Sequence, residues 1–384
     1  MIYLDNNAST KVDPEVAAAV AQAMELWGNP SSVHAEGRRA RRAVEEAREE
    51  VARLVGAHDA EVFFTSGGTE ANAMAIFGAA GTARGRVVRS GAEHPSVRGA
   101  FAVLRERGYD ERVVAPERSG TLDLGKLEGA LNGGAQLVSV MLASNEYGAM
   151  HPVPRIASLA KSAGALVHTD AVQAAGRVPI DVAALGVDLA SFSAHKMHGP
   201  KGVGALFVRR GMALVPHTPG GGQERRQRAG TENTPGIAGF GVAARLARRR
   251  LEAEGPAIAR LRDRLEGAIL AATPGAEVIG ARVPRLPNTS AILFEGISGQ
   301  SLAIRLDLDG VAVSVGSACS SGTPAPSEAL LSLGLSPEAA LRVVRLSLSR
   351  WTTEREVDEA SARVSTAVDA LRRGATAAAE LAAV

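Results

Sequence analysis

Residues 165–210, with the sequence ALVHTDAVQAAGRVPIDVAALGVDLASFSAHKMHGPKGVGALFVRR, decide the fold class. They hold three short apolar runs, ALVHTD (165–170), DLASFS (188–193) and GALFVRR (204–210). Strands that alternate with helical patterns predict an α/β architecture, in which helices cover both faces of a largely parallel sheet. Ligands of such sheets bind outside the carboxyl ends of the strands. Further runs upstream are each followed by a helical pattern: EVFFT (61–65), RVVRS (86–90) and QLVSVML (136–142).

The segments outside this core predict one amphipathic helix, one functional loop and a second unit. Residues 36–55 place apolar side chains at helical spacing among charges. The glycine-rich, polar stretch 219–233 is too hydrophilic for a strand and is a candidate functional loop. After a long helical pattern over 235–272, we expect a smaller α+β domain. Its predicted elements are two strands, NTSAILFE (288–295) and VVRLSLS (343–349), and a closing helix over 353–373.

Composition excludes several classes of protein. The chain has 384 residues, with 43 Lys and Arg against 41 Asp and Glu, a formal net charge of +2. This near balance argues against a protein organised around nucleic-acid binding, although a small anionic ligand fits. The single cysteine, Cys319, cannot form an intrachain disulfide or a metal site built on several thiolates, so no resident metal is expected.

Targeting signals are also missing from the sequence pattern. The first residues, MIYLDNNASTKVDPEV, lack the basic flank and apolar run of a signal peptide. No uninterrupted apolar stretch reaches the roughly 18 residues that a membrane span needs. We therefore expect a cytoplasmic protein with no membrane partner.

Two residues at strand ends are candidates for cofactor chemistry. Lys196 follows the run that ends at Ser193, and a lysine in a strand-end crevice can form a Schiff base with an aldehyde cofactor. Asp170 ends another apolar run, where its carboxylate would need a partner such as a protonated pyridine nitrogen. Each has a plainer interpretation, a surface lysine in a turn and the N-cap of a following helix.

Two further strand ends suggest a phosphate site and a stacking ring. Gly67, Gly68 and Thr69 join a strand to a helix, whose free N–H groups and dipole suit a phosphate. His94 lies at another strand end before a helix that starts with proline, where its ring could stack on a flat cofactor. The alternatives are an ordinary strand-to-helix turn capped by Thr69 and a capping or packed histidine.

Cys319 lies in the segment VAVSVGSACSSGTPAPSEALL (311–331), among small and polar residues. This composition is typical of an exposed loop, whereas free cysteines are usually buried. An exposed thiol is a candidate nucleophile, and the alternative is an incidental small residue in a turn.

In their order and spacing these segments resemble the cysteine desulfurases, pyridoxal-phosphate enzymes of the class-V aminotransferase group. The long segment between Cys319 and VRLSLSR (344–350) resembles the nitrogen-fixation and iron-sulfur-assembly branch. The resemblance covers nearly the whole chain and rests on YLDNNAST, GNPSSVH (28–34), FTSGGTEANA, EHPSV, SNEYG (144–148), HTDAVQAAG, SFSAHKMHGPKGVGAL, GGGQERRQRAGTEN, GSACSSG and VRLSLSR.

The resemblance implies fold type I of the pyridoxal-phosphate-dependent transferases. It places a large domain at 15–258, with a mostly parallel seven-stranded sheet between helices. A small domain would comprise 1–14 and 259–384 and carry the Cys319 loop.

The resemblance also implies a role for each candidate residue. Lys196 would bind pyridoxal phosphate as a Schiff base and move protons, and Asp170 would pair with the pyridine nitrogen. His94 would stack on the ring and act as a catalytic acid-base. Cys319 would be the nucleophile. The remaining implied contacts are Gln173 and Asn145 at the ring, Gly68, Thr69, Ser193 and His195 at the phosphate, Thr231 at the phosphate of a partner subunit, and Asn29, Asn145 and Arg345 at the substrate carboxylate.

The activity implied is conversion of L-cysteine to L-alanine, with the sulfur passing to Cys319 as a persulfide. The partners implied are a second copy of the chain and a sulfur-acceptor protein, and Cys319 could briefly contact an iron-sulfur cluster. Two alternatives stay open at this point. One is another class-V enzyme, a selenocysteine lyase or an aminotransferase, and the other is a non-catalytic platform of the same fold.

Overall fold

The computed structural model describes residues 1–316 and 325–382, with side chains to residue 374. The strands are β1 (Ile2–Tyr3), β2 (Val62–Thr65), β3 (Arg86–Ser90), β4 (Asp110–Val114), β5 (Leu137–Ser139), β6 (Leu166–Asp170), β7 (Leu189–Ser193), β8 (Gly204–Val208), β9 (Ala276–Val278), β10 (Thr289–Phe294), β11 (Val311–Ala312), β12 (Ser314–Val315) and β13 (Val343–Ser347).

The α-helices are α1 (Pro14–Ala23), α2 (Ala35–Val55), α3 (Gly68–Ala80), α4 (Pro95–Glu106), α5 (Leu124–Leu131), α6 (Val153–Ser162), α7 (Val182–Leu185), α8 (Thr234–Ala272), α9 (Gly299–Leu308), α10 (Glu328–Ser332), α11 (Pro337–Ala340) and α12 (Glu354–Ala382). Among the described residues, no helix has both the length and the apolar content needed to cross a bilayer.

The largest sheet has seven strands, in the order β2-β8-β7-β6-β5-β3-β4. Only β8 runs antiparallel to its neighbours β2 and β7, and the other pairs are parallel. β5, β6, β7 and β8 are buried along their length, apart from the first residue of β6, as expected for strands covered by helices on both faces. The predicted α/β class with a mostly parallel seven-stranded sheet is confirmed.

The predicted amphipathic helix is α2. The His34 side chain accepts from the Gly37 N–H at its start, and Gly56 ends it in the left-handed conformation with φ of 68°. Apolar side chains, among them Val44 and Val51, are buried in the large core, while most of its charged residues face solvent. Arg48 is an exception, because its guanidinium is buried.

A second sheet, in the order β12-β13-β10-β9, has a separate apolar core built on Phe294, Leu346 and Val364. The first strand belongs to this side of the molecule, because β1 pairs in parallel with β11. The continuous helix α8 contributes Phe240 to the large core and Leu265 to the small one. Residue 258, the predicted domain boundary, falls inside this helix, and the division stays a proposal.

Candidate active site

A cavity of about 360 Å³ lies where β6 and β7 end, at the edge that the sheet rule predicts. A larger groove of about 620 Å³ runs along the N-terminus and Trp351, but Lys196 and Asp170 do not line it. Predicted site residues that line the smaller cavity are Gly68, Thr69, His94, Asn145, Asp170, Gln173, Ser193, His195, Lys196 and Arg345.

Lys196 ends a short 3₁₀ turn that follows β7 directly. Its Nζ donates to the carbonyl oxygens of Asn7, at 2.6 Å, and Ala8, at 2.8 Å. Burial lowers the pKa of Lys196 to about 8, helped by the positive charges of Arg177 and Arg345. A lysine with this pKa has a sizeable neutral fraction near neutral pH, which is the form that attacks an aldehyde.

Asp170 is the last residue of β6 and is held by two donors. The Val172 N–H donates to its Oδ1 at 3.0 Å, and Asn72 Nδ2 donates to its Oδ2 at 2.7 Å. The Oδ1 of Asn72 is buried and has no hydrogen-bond partner among the described residues. Asp170 therefore presents a fixed carboxylate to the cavity, and no regular helix follows it for which it could be only an N-cap.

His94 has two roles, because it caps α4 and also lines the cavity. Its Nδ1 accepts from the Ser96 N–H at 3.1 Å, so the neutral ring carries its proton on Nε2. Burial lowers the pKa of His94, and nearby Lys196 acts in the same direction while Asp170 opposes it. The ring is thus kept neutral with one N–H free to act in the cavity.

The start of α3 suits an anion. The N-cap of α3 is Gly67, which has no side chain that could cap the helix, and Thr69 lies inside the helix as its second residue. The alternative of a Thr69 cap is therefore wrong. A Cβ on Gly68 would come within 2.8 Å of the Val172 side chain, so the turn packs closely against the loop after β6. Ser193 and His195 complete this end of the cavity. Unused N–H groups at a helix start bind phosphate well.

Arg345 on β13 brings the small sheet to the cavity. Its Nη1 donates to the carbonyl of Asn145 at 3.0 Å, and its Nη2 forms an ion pair with Asp5 at 2.7 Å. The Nε atom is buried and has no partner in the described part of the chain. A fork held in this way can receive a carboxylate.

Two predicted residues lie elsewhere, and a third is outside the described part of the chain. Asn29 does not line the cavity, and its Oδ1 accepts from Ser31 N within its own turn. Thr231 lines a separate cavity of about 140 Å³ with Glu224 and Arg228. Cys319 lies outside the described residues. Its neighbours in sequence, Gly316 and Ser327, both approach the Glu146 carboxylate, next to Asn145.

Comparison with known proteins identifies the family. The family model for aminotransferase class-V matches residues 2–360. This chain belongs to the class-V aminotransferase family. It is 43% identical over 375 residues to a cysteine desulfurase of Trichormus azollae, which covers 97% of this chain and 94% of that protein.

Two solved structures support the same assignment. A NifS-like protein from Rickettsia africae ESF-5 has a TM-score of 0.87 and 33% identity, with 96% of this chain and 99% of that one covered. The structure of SspA in complex with cysteine has a TM-score of 0.82 and 31% identity, with 92% and 100% covered.

Class-V aminotransferases of this kind depend on pyridoxal phosphate, and the residues present fit that group. The uncapped start of α3 suits its phosphate, Lys196 offers an amine for its aldehyde, and Asp170 offers a carboxylate for its ring nitrogen. The cavity volume lies in the range of small-molecule sites. The buried Asn72 Oδ1 is one further acceptor at this wall.

Two residues of this class-V site were missed from the sequence. Asn7 is buried, and its carbonyl accepts from both Lys196 Nζ and Gln173 Nε2, the latter at 3.0 Å. Arg177 donates to the Asn7 side chain at 2.8 Å. Asn7 stands in the quoted motif YLDNNAST, and Arg177 comes directly after HTDAVQAAG, so position in these motifs was the available signal.

Proposed function

We propose that this chain is a pyridoxal-phosphate-dependent cysteine desulfurase that converts L-cysteine to L-alanine and passes the sulfur to Cys319. One observation carries the proposal. A single cavity joins Lys196, Asp170, His94 and Arg345 in a chain that is 43% identical to a named cysteine desulfurase along nearly its whole length.

Pyridoxal phosphate, when bound, supplies an electron sink for the charge left at the substrate Cα. Lys196 would bind it through its neutral amine and would move the proton at the substrate Cα. Asp170 would hold the ring nitrogen, His94 would lie against the ring, and Gln173 would bind its hydroxyl. Gly68, Thr69, Ser193 and His195 would hold the phosphate.

Arg345 and Asn145 orient the substrate. The guanidinium is fixed by Asp5 and by the Asn145 carbonyl, so its position does not depend on substrate. Lys196 lines the same cavity, so a cysteine whose carboxylate binds this fork would lie near the amine. The predicted part of Asn29 in carboxylate binding stays a prediction, since its side chain is engaged in its own turn.

Sulfur transfer requires a thiolate at Cys319. The thiolate attacks the substrate sulfur, and an S–S bond forms as the carbon–sulfur bond breaks. The electron pair of the broken bond stays with the carbon skeleton, which takes up a proton and leaves as alanine. Cysteine and thiol thus yield alanine and persulfide without an external oxidant or reductant. Support comes from Gly316 and Ser327, which flank the cysteine segment and lie beside Glu146 near the cavity.

The proposal includes partners and location. In a homodimer, Thr231 would reach the cofactor phosphate of the partner subunit, which fits its position outside its own chain's cavity. A sulfur-acceptor protein would then take the persulfide sulfur, for iron-sulfur cluster assembly or another thiolation pathway. Cytoplasmic location is part of the same proposal, and cell fractionation tests it.

The purified protein should be yellow and should release alanine and, with a reductant, sulfide from L-cysteine. Cys319→Ser should keep the colour and lose sulfide release, while Ser320→Ala serves as the matched control and keeps both. Desulfuration by Cys319→Ala at the original rate would refute the sulfur route. Amino transfer to a keto acid, or strong preference for selenocysteine, would favour the alternative enzymes, and a colourless protein would favour the platform.

A further inference from the structure

Arg177 lies in the loop after β6, and its guanidinium contacts the backbone and side chains that surround Lys196. It donates to the Asn7 side chain at 2.8 Å, to the Asn6 carbonyl at 2.9 Å and to the Lys196 carbonyl at 3.4 Å. It also donates to Gln173 Oε1. A further bond goes to the Gln173 carbonyl at 3.4 Å, and all five acceptor atoms are uncharged.

This cation is unusual for the chain. Within the described residues, no carboxylate lies within ion-pair distance of Arg177, and the charged group that acts on it most is another cation, Arg345. Burial lowers the pKa of Arg177 to about 9. Other well-buried arginines pair with acids, as in Arg48–Glu224, Arg262–Asp263, Arg285–Glu266, Arg345–Asp5 and Arg350–Asp13.

A buried cation without a paired carboxylate lowers the stability of the folded protein. Neutral hydrogen bonds alone could be made by an uncharged side chain, so a structural role does not require the charge of Arg177. The charge acts on the amine of Lys196, which lines the cavity, and disfavours the protonated form of that amine.

Asn7 connects the two groups. Its backbone carbonyl accepts from Lys196 Nζ at 2.6 Å, and its side-chain oxygen accepts from Arg177 at 2.8 Å. Gln173, which contacts both Asn7 and Arg177, lines the cavity with Lys196. Asn7 therefore lies between the Arg177 guanidinium and the Lys196 amine and is hydrogen-bonded to both.

We propose that Arg177 is a positioning residue whose uncompensated positive charge favours the neutral form of the Lys196 amine and whose hydrogen bonds fix Asn7 and Gln173 beside it. This inference rests on the proposed function only in that Lys196 is the amine that binds pyridoxal phosphate.

The other charges around Lys196 are accounted for. Arg345 acts in the same direction as Arg177, whereas Asp170 and Asp5 favour the protonated amine. Asp5 pairs with Arg345, which leaves Arg177 as the cation without a carboxylate of its own in the described site. His94 and His195 have lowered pKa values because of burial, so they add little positive charge at neutral pH.

The test follows Schiff-base formation instead of turnover. Pyridoxal phosphate is added to the cofactor-stripped full chain, and the rate of absorbance change is recorded against pH, since only the neutral amine reacts. The wild type should show a midpoint near pH 8, the pKa of Lys196. Arg177→Gln keeps an amide donor but loses the charge, so its midpoint should rise by about one pH unit.

Arg177→Lys keeps the charge with fewer donors, and its midpoint should stay close to that of the wild type. Arg262→Met removes a buried arginine that does not act on Lys196 and should leave the midpoint unchanged. Circular dichroism confirms folding, and Arg177→Met replaces Arg177→Gln if the latter does not fold.

An unchanged midpoint in the neutral variant, with slower binding in Arg177→Lys, would show that hydrogen bonding alone matters and would overturn the proposal. A wild-type midpoint near the ordinary lysine value of about 10.4 would overturn it without any variant. Normal pH behaviour without sulfur release from cysteine would instead refute the proposed function and leave the inference standing.

Discussion

The buried ion pair between Arg48 and Glu224 gives the sharpest stability prediction. Two hydrogen bonds join the side chains, at 2.7 and 3.0 Å, and the two side chains are only 4% and 3% exposed. Glu224 also accepts from the Phe64 N–H of β2 at 2.8 Å. Arg48→Met leaves this carboxylate buried without its cation, which destabilises a protein by about 3–5 kcal/mol.

This loss converts into a melting shift. An unfolding entropy of about 2.1 cal/mol/K per residue gives about 0.8 kcal/mol/K for a chain of this length, so Arg48→Met should lower Tm by about 4–6 °C if the chain unfolds in one transition. Calorimetry measures the shift. The matched control is Arg53→Met on the same helix, because Arg53 is 53% exposed and its ion pairs contribute about 1 kcal/mol or less.

The double variant Arg48→Met with Glu224→Gln isolates the cause. It should be more stable than Arg48→Met alone, since no charge is left buried without a partner. The pair also anchors a strained loop, in which Glu224, Arg225 and Arg226 all have positive φ, at 43°, 54° and 67°. A Tm change in Arg48→Met no larger than that of Arg53→Met would refute the reasoning.

Three further predictions concern the cavity. Lys196→Ala should abolish covalent attachment of pyridoxal phosphate, seen by mass spectrometry as no added mass after borohydride reduction. Arg345→Met should raise KM for cysteine about 10- to 100-fold, because a charge-assisted carboxylate contact is lost, and steady-state kinetics with circular dichroism as the folding control would contradict this if KM stayed constant. Glu93 is buried next to His94, and burial raises its pKa well above the usual range. Folding therefore binds a proton between the unfolded and folded pKa values, and stability falls by about 1.4 kcal/mol per pH unit as pH rises through that window. Glu93→Gln should remove this fall and raise Tm at neutral pH, and equal pH profiles for the two proteins would refute it.

Much of the architecture could be predicted because buried parallel strands leave an uninterrupted apolar signal. β6 and β7 lie within one residue of their predicted bounds. β4 was missed, since it is an edge strand with Asp110, Glu111 and Arg112 in its sequence and mostly exposed or half-exposed side chains. An edge strand whose side chains face solvent does not need apolar residues, so its sequence carries no apolar signal.

The residues of the site likewise fall into those that the sequence could predict and those that it could not. Residues that follow strand ends, such as Asp170 and Lys196, could be placed by the sheet rule, and the motifs identified their chemistry. Arg177 and Asn7 could not, because their importance lies in contacts across the fold, between segments about 170 residues apart. A sequence does not show which arginine lacks a counter-charge.

Helix α8 has a mechanical consequence. It contains 39 residues, so it is about 58 Å long and joins the two cores as one rod. Pro256 lies inside it and removes one backbone hydrogen bond, which makes that turn the most compliant point of the rod. The 17 residues from Pro256 to Ala272 form a lever of about 24 Å, so a bend of about 5° would move its tip by about 2 Å. The small sheet carries Arg345, whose hydrogen bonds to Asn145 and Asp5 would have to give way if a bend at Pro256 were to move this arginine relative to Lys196.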